Sequence, residues 1–193
     1  MTQADKLTTV RLVFAPLFFV LYTLQEWFPL TEQWNIWLVP LLWVLFIVAE
    51  LTDLFDGMVA RARGEVSDFG KLYDPFADTL ARMTYFLCFV VDGILPALLF
   101  IVILYREFGI LFLRLQVMKK GVAMGARSGG KIKAVCYMLA GGFALLYSSI
   151  VRFDPNSPLA AWAEWAAVAV FAVSVVLALV SFVDYYRQYK KMA

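Results

Sequence analysis

The chain has 193 residues, 63% of them hydrophobic, and a formal net charge of +2. A soluble domain is about 45–50% apolar, so this composition excludes an ordinary soluble fold, and so small a net charge gives no reason to expect nucleic acid. Histidine is absent, and cysteine occurs only as Cys88 and Cys136 inside apolar runs, which excludes serine–histidine triads, histidine-ligated zinc and a disulfide framework.

A membrane helix needs about 20 mostly apolar residues, and six such segments are predicted in chain order. The first covers residues 7–25, with Thr8 and Arg11 at its start. The second covers 33–60 and runs from NIWLVPLLWVLFIV into LTDLFDGMVA. The third covers 74–91 and is stopped by the turn pair Asp92-Gly93. The fourth covers 95–118, the fifth 131–151 and the sixth 159–186. The runs are long and lack the two-residue alternation of barrel strands, so helices are expected. The predicted fold class is therefore all-α, an integral membrane protein with six transmembrane helices. No linker, low-complexity run or internal repeat divides the chain, so one domain is expected over residues 1–193. The opening MTQADKLTTV has no apolar core ending at a small-residue cleavage site, so no removable leader is expected.

The basic residues orient this arrangement. Lys6, Arg11, Arg61, Arg63, Lys71, Lys119, Lys120, Arg127 and the later Lys and Arg of the fifth and sixth spans' ends fall on one side, and only Arg152 on the other. Basic loops face the cytoplasm, so an inner (plasma) membrane protein with both termini cytoplasmic is expected. Trp27, Trp34, Trp37, Trp162 and Trp165 would form an aromatic belt at the opposite face.

The stretch LTDLFDGMVARARGEVSDFGKLYDPFADTLA places five aspartates at the cytoplasmic ends of the second and third spans. Asp53 and Asp56 are three apart, and Asp74 and Asp78 four apart, so each pair shares a helix face. Opposed faces would gather four carboxylates, which repel unless a cation or protons compensate them. Hard oxygen ligands suit Mg²⁺, Mn²⁺ or Ca²⁺, and four carboxylates are enough for two ions. Gly57 and Ala60 form a small-residue strip that admits either a ligand or a packed helix. Arg61 suits a phosphate contact, and Arg63 an ordinary cytoplasmic anchor. Gly70 suits a turn, and Asp68 and Glu65 read as solvated loop residues.

Asp53-x₂-Asp56-Gly57-x₂-Ala60-Arg61-x₈-Gly70-x₃-Asp74-x₃-Asp78 resembles the full motif of the CDP-alcohol phosphatidyltransferase family. That resemblance implies a six-helix membrane fold and attack of a small alcohol on the lipid-side phosphorus of CDP-diacylglycerol, with CMP leaving. It implies that Asp53, Asp56, Asp74 and Asp78 hold two divalent ions, Mg²⁺ or Mn²⁺, and that Asp78 is the general base. It implies that Asp56, Gly57, Ala60, Arg61 and Gly70 bind the nucleotide, and that the protein forms a homodimer.

The acceptor alcohol is read from the second half. Arg106 and Arg114 are eight apart on one side of the fourth span, and Lys131 and Lys133 open the fifth. Cations converging near an acidic site point to an anionic ligand; snorkelling to headgroups is the alternative, favoured for Lys119 and Lys120. Arg106-Glu107, Arg114 and Gly130-Lys131-Ile132-Lys133, with Thr8 and Arg11, resemble the phosphatidylglycerophosphate synthase subfamily, which implies sn-glycerol 3-phosphate as acceptor. Asp5 and Ala134 depart from that pattern, where Asn and Thr are usual. Inositol phosphate and serine are competing acceptors. A membrane cation transporter is the alternative of another class, but its carboxylates belong nearer mid-span and in repeated, broken helices.

Overall fold

The computed structural model describes residues 3–28, 32–63, 70–118 and 128–192; within these, side chains are described except at 3–7, 32, 53–63, 71, 128–131, 191 and 192. The described residues form six long helices and one single turn, with no strand among them. The helices are α1 (Gln3–Tyr22), the one-turn α2 (Leu24–Trp27), α3 (Glu32–Arg63), α4 (Gly70–Val91), α5 (Ala97–Met118), α6 (Ser128–Phe153) and α7 (Pro158–Met192).

Each long helix forms where a span is expected, although the first breaks at Thr23, leaving α2 as a separate turn. Among the described residues, four segments are long and apolar enough to cross a membrane: Thr8–Trp27, Gln33–Thr52, Ile132–Phe153 and Pro158–Lys190. Helices α4 and α5 have 22 residues each, but α4 carries Asp74, Asp78 and Arg82, and α5 carries Arg106, Glu107 and Arg114.

The α4–α5 connection shows how the turn pair works. Gly93 has φ +74, a conformation L side chains avoid. Its N–H donates to Val90 O at 3.0 Å, and the Ile94 N–H to Phe89 O at 2.9 Å. Together these close a Schellman motif, and buried Ile94 and Phe89 supply its apolar contact. The α6–α7 connection is one residue shorter: Asn156 N–H donates to Asp154 Oδ1 at 3.2 Å, and Pro158 opens α7 where a missing N–H costs nothing.

Contacts fix the helix directions. Along α1 and α4, Thr8 meets Asp74 and Tyr22 meets Asp92, so these helices run parallel. Along α3 and α6, Asn35 meets the Arg152 carbonyl and Trp43 meets Ser149, so these run antiparallel. The Tyr22 hydroxyl also meets the Ser148 hydroxyl at 3.1 Å, which joins the C-terminal ends of α1 and α6 and sets α6 parallel to α1 and α4. The core between them is aromatic: Phe18, Phe46, Tyr85, Phe86, Phe89, Tyr137 and Phe171 are buried, and their rings meet mostly edge to face.

Close approach of α6 to this core depends on Gly141. A Cβ there would stand 3.0 Å from Phe46 Cε2 and 3.4 Å from Tyr85 Cε2, and both rings are locked by neighbours. Gly141→Leu is expected to lower the thermal midpoint in detergent, since overpacking costs about 1–3 kcal/mol or more; an unchanged midpoint would count against a rigid core here.

Trp27, Trp34, Trp37, Trp162 and Trp165 are all exposed, at the C-terminal end of α1–α2 and the N-terminal ends of α3 and α7. The same end is tied by polar contacts. Tyr22 donates to Asp92 Oδ2 at 2.5 Å, and Arg152 donates to the Tyr22 carbonyl at 3.0 Å while stacking on its ring.

Candidate active site

At the opposite end, α4 begins at Gly70, four residues before the expected start at 74. Asp74 and Asp78 therefore both lie within helix and share a face, as their spacing requires. That face meets the start of α1. Thr8 donates to Asp74 Oδ1 at 2.5 Å, Thr9 and Tyr73 share a hydroxyl contact at 2.9 Å, and Arg11 Nη1 stands 3.7 Å from Asp78 Oδ1. Thr8 and Arg11 are both fully buried, while the Asp78 side chain keeps 25% of its surface open.

Three further residues complete this corner. Arg82 Nη1 donates to Asp78 Oδ2 at 2.7 Å, and its Nη2 stands 3.5 Å from Glu50 Oε2 on α3. Tyr85 donates to Glu50 Oε1. Sequence reasoning passed over Arg82, Glu50 and Tyr85. Two signals were available: Arg82 follows Asp78 by four residues, an ion-pair spacing, and Glu50 is an ionisable group in an apolar run.

Asp53, Asp56, Gly57, Ala60 and Arg61 lie on the last turns of α3, where the backbone is helical; their side chains fall outside the described residues, as does that of Lys131 on α6. Asp68, Glu65, Lys119 and Lys120 lie outside the described residues altogether. Among the described residues no three carboxylate, histidine or cysteine groups cluster as a metal site. The described pair nevertheless fits a hard divalent cation. Asp74 and Asp78 present carboxylate oxygens from one helix face, and Asp78 is partly open.

Of the basic residues of the second half, Arg106 and Lys133 gather around Glu107. Glu107 Oε1 accepts from Arg106 Nη1 at 2.8 Å, Lys133 Nζ at 2.6 Å and Tyr137 at 2.9 Å. Arg106 also donates from Nε to the Ala178 carbonyl at 3.1 Å and from Nη2 to Ser181 at 2.9 Å. Arg106, Glu107 and Lys133 are all buried, so neither cation snorkels to the surface. Among the described residues, two cations against one carboxylate leave this cluster with one positive charge in excess. Arg114 lies two turns further along α5, donating to Tyr185 at 3.1 Å with its guanidinium 5.6 Å from that ring. The structure thus joins Arg106 and Lys133 through Glu107 and places Arg114 apart from them, facing α7.

A family model described as CDP-alcohol phosphatidyltransferase matches residues 1–180. The chain is 39% identical over 158 residues to the CDP-diacylglycerol–glycerol-3-phosphate 3-phosphatidyltransferase of Treponema pallidum (strain Nichols), covering 80% of this chain and 73% of that one. It is 38% identical over 122 residues to the protein of the same name from Bacillus subtilis (strain 168), covering 62% and 63%. A probable phosphatidylglycerophosphate synthase of Mycobacterium tuberculosis (strain ATCC 25618 / H37Rv) is 38% identical over 104 residues, covering 54% of this chain and 49% of that one. The matches to the last two thus span less than two thirds of those relatives' length.

Proposed function

The chain belongs to the CDP-alcohol phosphatidyltransferase family, and on that premise we propose that it transfers the phosphatidyl group of CDP-diacylglycerol to sn-glycerol 3-phosphate. Two relatives are named for these two substrates, and the products of the transfer are phosphatidylglycerophosphate and CMP. In the reaction an acceptor hydroxyl oxygen bonds to the lipid-side phosphorus, the bond from that phosphorus to the CMP oxygen breaks, and the hydroxyl proton goes to Asp78. Arg82 and Arg11 hold the Asp78 carboxylate in place for that transfer. Asp53, Asp56, Asp74 and Asp78 would hold two Mg²⁺ or Mn²⁺ ions, which supply charge neutralisation on the diphosphate and the departing CMP. Thr8 orients Asp74. Asp56, Gly57, Ala60, Arg61 and Gly70 receive the nucleotide.

The observation that carries the acceptor is the buried excess charge of Arg106 and Lys133 over Glu107. A buried uncompensated cation is costly, and an acceptor phosphate supplies the missing charge. Arg106, Lys133, Lys131 and, from two turns further along α5, Arg114 are the residues proposed to meet that phosphate. Purified protein with CDP-diacylglycerol, Mg²⁺ or Mn²⁺ and glycerol 3-phosphate should release CMP. CMP release with inositol phosphate or serine but not with glycerol 3-phosphate would overturn the acceptor. Arg114→Ala should raise the KM for glycerol 3-phosphate by about tenfold, the loss of one charged hydrogen bond of about 1.5 kcal/mol, with kcat changed less. An unaltered KM would remove Arg114 from the site.

All six long helices are proposed to span an inner (plasma) membrane, with both termini and the active site cytoplasmic. The charges of α4 and α5 support this, because Arg82, Arg106 and Glu107 are buried against other helices rather than turned to lipid. The protein is proposed to work as a homodimer.

A further inference from the structure

The Arg82 guanidinium bridges two carboxylates from different helices, Asp78 on its own α4 and Glu50 on α3. Arg82 and Glu50 are shielded, with side chains 6% and 10% exposed, and Tyr85 donates a second bond to Glu50. The four residues of α4 that carry this end, Asp74, Asp78, Arg82 and Tyr85, follow one another at four, four and three residues and so form a single stripe. On α3, Glu50, Asp53 and Gly57 form a stripe at i, i+3 and i+7.

Helix α3 runs antiparallel to α6, and α6 runs parallel to α4, so α3 and α4 are antiparallel. Each residue forward on α3 is then matched by one residue back on α4. With Glu50 opposite Arg82 and Tyr85, Asp53 and Asp56 stand at the level of residues 76–82, the interval that contains Asp78. A shift of one residue between the helices would slide these levels by about 1.5 Å and rotate the stripe by about 100°.

We propose that Glu50 and Arg82 are positioning residues: their ion pair sets the register and rotation of α3 against α4, and so brings the aspartate-bearing stripes of the two helices face to face. Neither residue belongs to the family motif as it stands in this chain. Arg82 has a second task, because the same guanidinium orients Asp78. Lysine cannot perform both, since one ammonium lacks the planar fork that spans two carboxylates. The effect on catalysis rests on the proposed phosphatidyl transfer; the effect on helix register does not.

The test uses the full chain in detergent, with Cys88 and Cys136 replaced by alanine and nitroxide labels at Ile47 on α3 and Leu87 on α4, both exposed on the outside of the bundle. Glu50→Gln and Arg82→Lys are each expected to broaden or shift the dipolar label-to-label distance. Each should also lower kcat by about tenfold or more, since small misplacements are costly to aligned reactants, while KM for glycerol 3-phosphate stays within about twofold, its site lying on other helices. The Glu50→Gln/Arg82→Lys double variant should be no worse than the weaker single variant, because one bridge is lost in each case. Arg82→Lys keeps a cation between the two carboxylates, so it tests the bridge without leaving either charge buried alone. An unchanged distance in both variants overturns the proposal. So does a lowered melting temperature with kcat of the folded protein intact, the behaviour of an ordinary packing ion pair. If the parent chain releases no CMP, the transfer reading fails and the distance measurement alone decides the register claim.

Discussion

Asp78→Asn should reduce CMP release by about 10²–10⁴-fold, the usual worth of a positioned general base. The amide has the shape of the carboxylate but cannot take the acceptor's proton. Asp78 sits where that proton must go: its side chain is one-quarter open, and Arg82 at 2.7 Å and Arg11 at 3.7 Å hold it from either side. The substitution also removes half of the negative charge facing Arg82, but Glu50 still faces its other nitrogen, so the protein should elute as the parent does. Asp74→Asn is the informative companion. Asp74 is held by Thr8 rather than by an arginine, and it is assigned to the ions and not to proton transfer. Its loss should raise the Mg²⁺ or Mn²⁺ concentration needed for half-maximal rate and be partly restored by more ion. Asp78→Asn should not be restored. Full activity in Asp78→Asn, measured as CMP release at saturating substrate, would remove Asp78 as the base.

Glu107→Ala should be strongly destabilising. One carboxylate oxygen accepts from Arg106, Lys133 and Tyr137, and every one of these groups is buried. Removing it takes away the acceptor that two like charges and a hydroxyl share, and leaves Arg106 only its bonds to Ala178 and Ser181. Breaking a buried pair from one side typically costs about 3–5 kcal/mol. The expected readout is a large fall in the thermal midpoint in detergent. Glu107→Gln keeps one acceptor oxygen and the volume, so its fall should be smaller and of the same sign. Adding glycerol 3-phosphate should raise the parent's midpoint, because a ligand that binds the folded state stabilises it. A Glu107→Ala midpoint equal to the parent's would show that the cluster is not a structural hub.

The two networks differ in how far they were readable. The aspartate motif is local: each pair is set by helical spacing of three or four residues, so Asp74 and Asp78 on one face of α4 followed from the chain alone. The partners of those aspartates are not local. Thr8 and Arg11 were singled out by resemblance, yet their contacts bridge more than sixty residues of chain. Glu50 and Arg82 carry no motif and were passed over, because an isolated charge in an apolar run does not say what it faces. Arg106 and Lys133 were read as cations awaiting an anion, and the fold supplies Glu107 between them. Glu107 was visible only as the second half of an Arg-Glu pair.

What the amino-acid order determined by itself is therefore the membrane class, the six long helices and the faces on which charges lie, because hydropathy and helical period act over a few turns at a time. The places where helices stop were equally local, as Asp92-Gly93 and Pro158 show. Only the tertiary structure decided which charges compensate which. An ion pair in an apolar bundle forms between whichever groups packing brings within reach, and that packing is set here by aromatic rings from α1, α3, α4, α6 and α7 meeting across a core that Gly141 allows to close.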